Sequence, residues 1–358
     1  MTIGAMIFLL CLIALPVSLA LFPRQLRPVF GGDVNHLWTR DSTGWHPIEL
    51  PGIPYEIQAS SNGDVWVATN SPPGLSNWSS GHWTHHGKPH YPYNGYTVSG
   101  DQAWVAGEKG IERFDGQAWH TMSANIRDPM AMTSEGSEAW FVNGQGVLAH
   151  CIANDCQTHS IKDQLPNNVW GGLLGRFPSG RGASKVRRFG YGSLIRAFGY
   201  LWFIRDGIWY SSDGARWIEW RSMNDGRAWP LRFSGDRVWV KTWQSLLAIG
   251  PDLNATPFPL APAGVPSAYE VNAESGRVMM ASGALGLFER SSGAWSPALP
   301  ESLRQYNVWN VAQTRDGTLW MTASHAPKFT RVYIFGGLLL LALIIWNGAA
   351  IKPRESQA

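Results

Sequence analysis

Ten histidines, three cysteines and scattered single carboxylates are the side chains here that could do chemistry. Four histidines cluster in GHWTHHGKPHYPY (81–93): His82, His85, His86 and His90. On a strand, His82 and His86 share a face and His90 follows in a loop, a set that a metal ion could accept. Histidines at a surface rim fit the same spacing. A second group, LAHCIANDCQTH (148–159), brings His150, Cys151, Cys156 and His159 together. IAND reads as a hairpin loop, which sets Cys151 and Cys156 opposite each other on paired strands. Three outcomes stay open: a disulfide, two free thiols, or a metal site that also uses the two histidines. No nucleophile elbow, phosphate-binding glycine loop, HExxH or CxxC is present. Asp101, Asp115, Asp213 and Asp236 stand singly at turns, where a carboxylate caps backbone N–H groups without catalysing anything. The expectation is no catalytic residue, no metal and no cofactor.

The elements that must position these residues repeat. FDGQAW (114–119) returns as SDGARW (212–217), SSGAW (291–295), SSGHW (79–83) and STGW (42–45). A second signature, a glycine turn and then an aromatic strand, places Trp66, Trp104, Trp140, Trp202, Trp239, Met279 and Trp320 at steps of 38, 36, 62, 37, 40 and 41. A period near 40 with several short strands per unit is that of a β-propeller blade. Glycine recurs because hairpin turns need positive φ, and tryptophan because stacked blades bury large flat side chains. With 39 glycines, 23 prolines and 20 tryptophans in 358 residues, and charged residues at 15%, the composition suits short strands rather than long amphipathic helices. Net charge of +3 gives no support for nucleic acid as a partner.

The ends fix the count. Residues 305–324 supply only the first two strands of a unit, and 35–50 only the last two. Joined, they make a composite closing blade, so the expected fold is an all-β, seven-bladed β-propeller over 33–324. An eighth, degenerate blade in the 62-residue step is the alternative. That step holds an insert, 166–189, carrying Arg176, Arg181, Lys185, Arg187 and Arg188 among Trp170, Leu173, Leu174 and Phe177. Such a segment suits anionic headgroups, and a solvated loop is the plainer reading.

Residues 5–22 and 332–351 are uncharged and long enough to cross a bilayer as helices. The first, within 1–23, reads as a retained anchor or a cleaved signal segment. The second is a transmembrane helix, and 352–358 is a short tail. In a four-stranded meander both segments and the insert leave from one face of the ring, which then lies against the membrane. Arg24, Arg27, Lys328 and Arg331 flank the propeller side, against Lys352 and Arg354 beyond, so the positive-inside tendency favours a cytoplasmic propeller. A disulfide favours an extracytoplasmic, periplasmic one, which is the placement expected here.

The units NGDVWVATNSPPGLSNWSSGHW (62–83), GDQAWVAGEKGIERFDGQAW (100–119) and RDGTLWMTAS (315–324) resemble the two-component regulator propeller repeat. That resemblance implies a ligand-binding sensor domain on the periplasmic side, feeding a kinase, cyclase or DNA-binding output in signal transduction. Only KPRESQA follows 332–351, so a signal here would need another membrane or envelope protein. A fainter resemblance, to a propeller lyase of cyclic antibiotics, gives its catalytic histidine and glutamate no matching positions.

One row of polar residues falls at nearly one phase on the expected innermost strands: Gln58, Thr97, Thr133, Arg196, Arg232, Asn272 and Gln313. Five of them stand seven residues before their aromatic, Gln58 eight and Arg196 six. Lining a central channel, Arg196 and Arg232 could grip a carboxylate or phosphate; a hydrated channel that binds nothing is the plain alternative. The function expected is a non-catalytic, membrane-anchored binding module, sensor or assembly scaffold, with an unknown ligand. A lyase-like enzyme working in the channel is the alternative.

Overall fold

The computed structural model describes residues 35–325, apart from 166–192, 223–228, 260–269 and short pieces of loops. The apolar segments 5–22 and 332–351 and the basic insert 166–189 lie outside the described residues, and among those described no helix is long and apolar enough to cross a membrane.

The fold is an all-β, seven-bladed propeller. The described chain begins with β1 (His36–Asp41) and β2 (Gly44–Ile48), the outer half of a blade completed much later. Blade 1 follows as β3 (Ile53–Ala59), β4 (Val65–Asn70), β5 (Gly74–Ser79) and β6 (His82–His85). Blade 2 is β7 (Tyr93–Ser99), β8 (Gln102–Gly107), β9 (Gly110–Phe114) and β10 (Trp119–Thr121). Blade 3 is β11 (Pro129–Glu135), β12 (Glu138–Asn143), β13 (Val147–Ile152) and β14 (Asp155–Ser160). Blade 4 is β15 (Ser193–Ala197), β16 (Tyr200–Ile204), β17 (Gly207–Ser211) and β18 (Ile218–Ser222). Blade 5 is β19 (Trp229–Ser234), β20 (Arg237–Lys241), β21 (Ser245–Ile249) and β22 (Ala255–Pro259). Blade 6 is β23 (Glu270–Glu274), β24 (Arg277–Ala281), β25 (Leu287–Ser291) and β26 (Ala294–Pro297). β27 (Tyr306–Gln313) and β28 (Leu319–His325) then pair with β1 and β2 in the order β2-β1-β28-β27, which makes blade 7 composite and closes the ring.

The repeated motifs do the local work expected of them. FDGQAW, SDGARW, SSGAW, SSGHW and STGW all bridge the third and fourth strands of their blades. In FDGQAW, the Asp115 carboxylate accepts the N–H groups of Gln117 and Ala118 at 2.9 Å each, while Gly116 takes φ +99°. A side chain that satisfies two turn N–H groups removes the desolvation cost those groups would otherwise carry. The second-strand aromatics are the core: Trp66, Trp104, Trp202 and Met279 are fully buried, and Trp140, Trp239 and Trp320 nearly so. Each packs between neighbouring sheets. Trp320 of blade 7, for example, clusters with Ile57, Val65 and Val67 of blade 1 and with Leu37 of β1. Burying an indole this way and then removing it costs about 3–5 kcal/mol.

Candidate functional site

In five blades the polar row on the innermost strands sits directly across from the blade aromatic. The register pairs Gln58 with Trp66, Thr97 with Trp104, Thr133 with Trp140, Arg232 with Trp239 and Asn272 with Met279. Cross-strand partners share a sheet face, so these residues lie on faces that meet the next blade. Gln58 donates through Nε2 to the carbonyl of Tyr96 on blade 2 at 3.0 Å. Thr97 shares a hydrogen bond with Ser134 on blade 3 at 3.0 Å. Thr97 and Thr133 are both buried. The side chains of Arg232 and Asn272 lie outside the described set.

Residues beside this row do the same. Ser60 donates to the Gly100 carbonyl at 2.9 Å, and Ser99 accepts from the Gly136 N–H at 2.7 Å. Asn310 donates to the Tyr55 carbonyl at 2.9 Å, across the joint between blades 7 and 1. Of the row expected to line a channel, Gln58 and Thr97 therefore bond blade to blade. Each such bond contributes about 1 kcal/mol net, and leaving a buried partner unmade costs more. The sequence reading missed Ser60, Ser99 and Asn310. For the first two a signal existed: each serine opens the glycine turn of its inner hairpin.

Arg196 and Gln313 depart from the row. Arg196 pairs with Leu201, one position off the aromatic, so it turns back toward blade 3. There its Nε donates to the Glu135 carboxylate at 3.2 Å, and its guanidinium carbon lies 5.3 Å from the Trp140 ring centre. A cation held by a carboxylate and an aromatic face is already partnered, although the exposed Glu135 limits the pair to under ~1 kcal/mol. Gln313 follows Ala312, which shares the Trp320 cluster, while its flanking neighbours Val311 and Leu319 pack toward blade 6. Gln313 is 2% exposed, and neither its amide nitrogen nor its oxygen has a partner.

At the hairpin end of blade 7 is a cleft of about 430 Å³ lined by Arg40, Asp41, Ser42, Asp316, Gly317, Thr318 and Leu319. Hydrogen bonds from the Thr43 hydroxyl and the Thr43 and Gly44 N–H groups, with His46 nearby, hold Asp41 down at about 2. Hydrogen bonds from the Thr314 hydroxyl and then from Thr318 lower Asp316 below the usual carboxylate range. Both walls are therefore anionic at neutral pH.

The histidines of 81–93 diverge. Exposed His82 bonds the Ser80 carbonyl at 2.9 Å and His85 the Ser76 hydroxyl at 3.0 Å. His86, just past the end of β6, meets Asn77 Oδ1 at 2.7 Å, and its ring centre lies 4.3 Å from that of Phe114 and 5.2 Å from that of Trp66. Burial, helped by the neighbouring His85, pushes the His86 pKa down. His90 lies outside the described residues. In the second cluster Cys151 and Cys156 face each other in the β13–β14 register and form a disulfide. His150 bonds Glu138 at 2.9 Å and stacks on Trp140, whereas His159 bonds the Gly214 carbonyl at 3.0 Å. Among the described residues no three His, Cys, Asp or Glu side chains converge as a metal site would require.

No protein-family model matches the chain, and no curated protein sequence matches it. Solved structures are similar in fold. The streptogramin B lyase structure superposes with a TM-score of 0.57 at 14% identity, covering 82% of this chain and 96% of that one. YCF48 bound to D1 peptide gives 0.52 at 15%, covering 76% and 95%. The extracellular domain of BT4673 from B. thetaiotaomicron, described as a one-component system, gives 0.52 at 12%, covering 76% of this chain and 38% of that one. At such identities the likeness is one of fold, and these propellers have different functions.

Proposed function

We propose that this propeller is a binding module, a sensor or an assembly scaffold, that presents its ring surface to a partner from a membrane anchor. One observation carries the reading. The inner polar groups Gln58, Thr97 and Arg196 are engaged between blades, which stiffens the ring and leaves its outer surfaces to do the recognition. Among folds of this kind are the extracellular domain of a one-component system and YCF48 bound to D1 peptide, both consistent with such a role. The two-component regulator resemblance in the sequence points the same way.

Attachment rests on the apolar segments 5–22 and 332–351. β1 and β28 pair from His36 opposite Ala323 to Arg40 opposite Leu319, so the described chain starts and stops on adjacent strands. β14 ends and β15 begins at that same end of the meander, on either side of the basic insert in sequence. Anionic headgroups are the natural partner for Arg176, Arg181, Lys185, Arg187 and Arg188. The disulfide favours the extracytoplasmic side.

The competing reading, a lyase-like enzyme working in the channel, needs Arg196 and Arg232 for its substrate. A double Arg196→Ala, Arg232→Ala variant separates the two. The binding module keeps its activity in the host and unfolds within about 3 °C of the parent. A folded variant without activity would overturn it. A reporter fused after Ala358 tests placement: a cytoplasmic reporter is expected, and an external one would put the propeller in the cytoplasm.

A further inference from the structure

The two ends of the ring carry different charge. Hairpins joining first to second and third to fourth strands all emerge at one end, because the strands of every blade alternate in direction. Six blades place carboxylates there, among them Asp41, Asp64, Asp101, Glu135, Asp213 and Asp236. Against these, the described basic side chains in or next to the same turns include Arg40, Arg196, Arg216 and Arg237; Arg40 lines the blade 7 cleft, Arg196 holds Glu135 at 3.2 Å and Arg237 lies 3.5 Å from Asp236. At the opposite end the signs alternate: Lys162 stands beside Asp163, and Glu301 close to Arg304.

Two further features sit on the acidic end. On the inner hairpins of blades 4 and 5, Phe198 and Phe233 meet edge to face at 5.4 Å. Phe233 is 43% exposed. Glu135 on blade 3 and Asp236 on blade 5 flank this pair, with side chains 67% and 80% exposed. The second feature is the cleft on blade 7 between Asp41 and Asp316. Gln313 does not line it, although its Nε2 stands 4.0 Å from where a Cβ on the lining residue Gly317 would be.

We propose that the hairpin end of the ring docks a Lys/Arg-rich segment of a partner polypeptide. The exposed Phe233 ring covers the apolar stem of a basic side chain, the exposed carboxylates of Glu135 and Asp236, each shared with an arginine of the ring, add negative potential beside it, and the Asp41–Asp316 cleft takes a second basic side chain across the ring. A compact ion fits less well than a chain, because Asp41, Asp115, Asp213 and Asp316 each cap their own turn instead of converging. Charges spread over a surface act by raising the encounter rate and affinity of an extended opposite charge, and salt weakens the effect.

This inference rests on the binding-module reading above, and its test keeps the two apart. The full-length protein in detergent is titrated with fluorescent nonalysine and nonaglutamate, at roughly 50 and roughly 300 mM salt. Nonalysine should bind at low salt and lose affinity at high salt, and any nonaglutamate binding, which the basic insert can take, should not respond to changes at the hairpin end. A Glu135→Gln, Phe233→Ser, Asp236→Asn variant should weaken nonalysine binding roughly tenfold or more. A control with the same charge change at the other end, Asp163→Asn with Glu301→Gln, should shift it less than about twofold. Circular dichroism of both variants should match the parent. No binding of nonalysine, equal weakening by the two variants, or calcium binding at this end with no peptide binding would each overturn the proposal. If the proposal fails while the Arg196→Ala, Arg232→Ala protein stays active in its host, docking at this end falls and the module reading stands.

Discussion

Blade 3 and blade 7 have the same four-stranded plan and are held together by opposite means. In blade 3 the outer hairpin turns at Ala153 and Asn154, pairs from Val147–Ser160 to Ile152–Asp155, and is tied by Cys151–Cys156, five residues apart. In blade 7 the joint between β1 and β28 unites residues about 280 positions apart by five register pairs and the packing of Leu37 under Trp320. Closing a tight hairpin costs little chain entropy, whereas closing the ring constrains nearly the whole domain. The difference teaches where the fold is vulnerable: damage to blade 3 stays local, and damage to the joint opens every interface.

Deleting residues 33–50 breaks the comparison most severely. It removes β1 and β2, strips Trp320 of its cover and frees an edge of β28, so cooperative thermal unfolding should disappear in calorimetry. A truncated chain that melts like the parent would refute ring closure as the source of stability. Next comes Leu37→Ala, a fully buried residue at the joint, expected to cost about 2–5 kcal/mol in urea unfolding. Its counterpart in blade 3 is Cys151→Ser with Cys156→Ser, expected to cost about 2 kcal/mol because so short a loop constrains the unfolded chain little. Reductant should destabilise the parent by a similar amount and leave that double variant unchanged.

The smallest effect sharpens the contrast at the outer turns. Blade 3 locks its turn covalently; blade 7 uses the Asp41 carboxylate on Thr43 and Gly44. The folded-state value of Asp41 is about 2, below the ordinary 3.8, so its ionised form stabilises the fold above pH ~4. That contribution is lost as pH falls through about 2. Asp41→Asn should therefore lower the melting temperature slightly at neutral pH, and the two curves should meet near pH 2. A gap that persists at pH 2 would mean the carboxylate acts through packing instead of charge.

The architecture was legible because its signals recur. Six tryptophans and Met279 at a period near 40, each after a glycine turn, marked the second strand of every blade, and the complementary half-blades at the two ends marked the closure. The candidate site was less legible, because counting back from an aromatic assumes turns of one length. Blade 2 turns in two residues between Ser99 and Gln102, which puts Thr97 opposite Trp104. Blade 7 turns in three, closed by the Thr314 N–H on the Thr318 carbonyl, which moves the matching position to Ala312 and turns Gln313 to the other face. A change of one residue in a turn inverts the face of everything before it. Arg196 missed the row for a related reason: the true match in blade 4 is Ile195, opposite Trp202. Nor does spacing say what a polar side chain touches, so the bonds from Gln58 and Thr97 to the next blade had no signature in the sequence.

The composite blade also sets a timetable for biogenesis. β1 leaves the ribosome before any other described strand, yet its partner β28 is made about 280 residues later, roughly 15–60 s at ordinary elongation rates. Throughout that interval His36–Asp41 offers a naked edge, with only β2 to cover its other side. A nascent chain in this state invites pairing with the wrong strand. Sealing the ring is thus necessarily the last act of maturation, and anything that shields the newborn amino-terminal hairpin should raise the yield of finished protein.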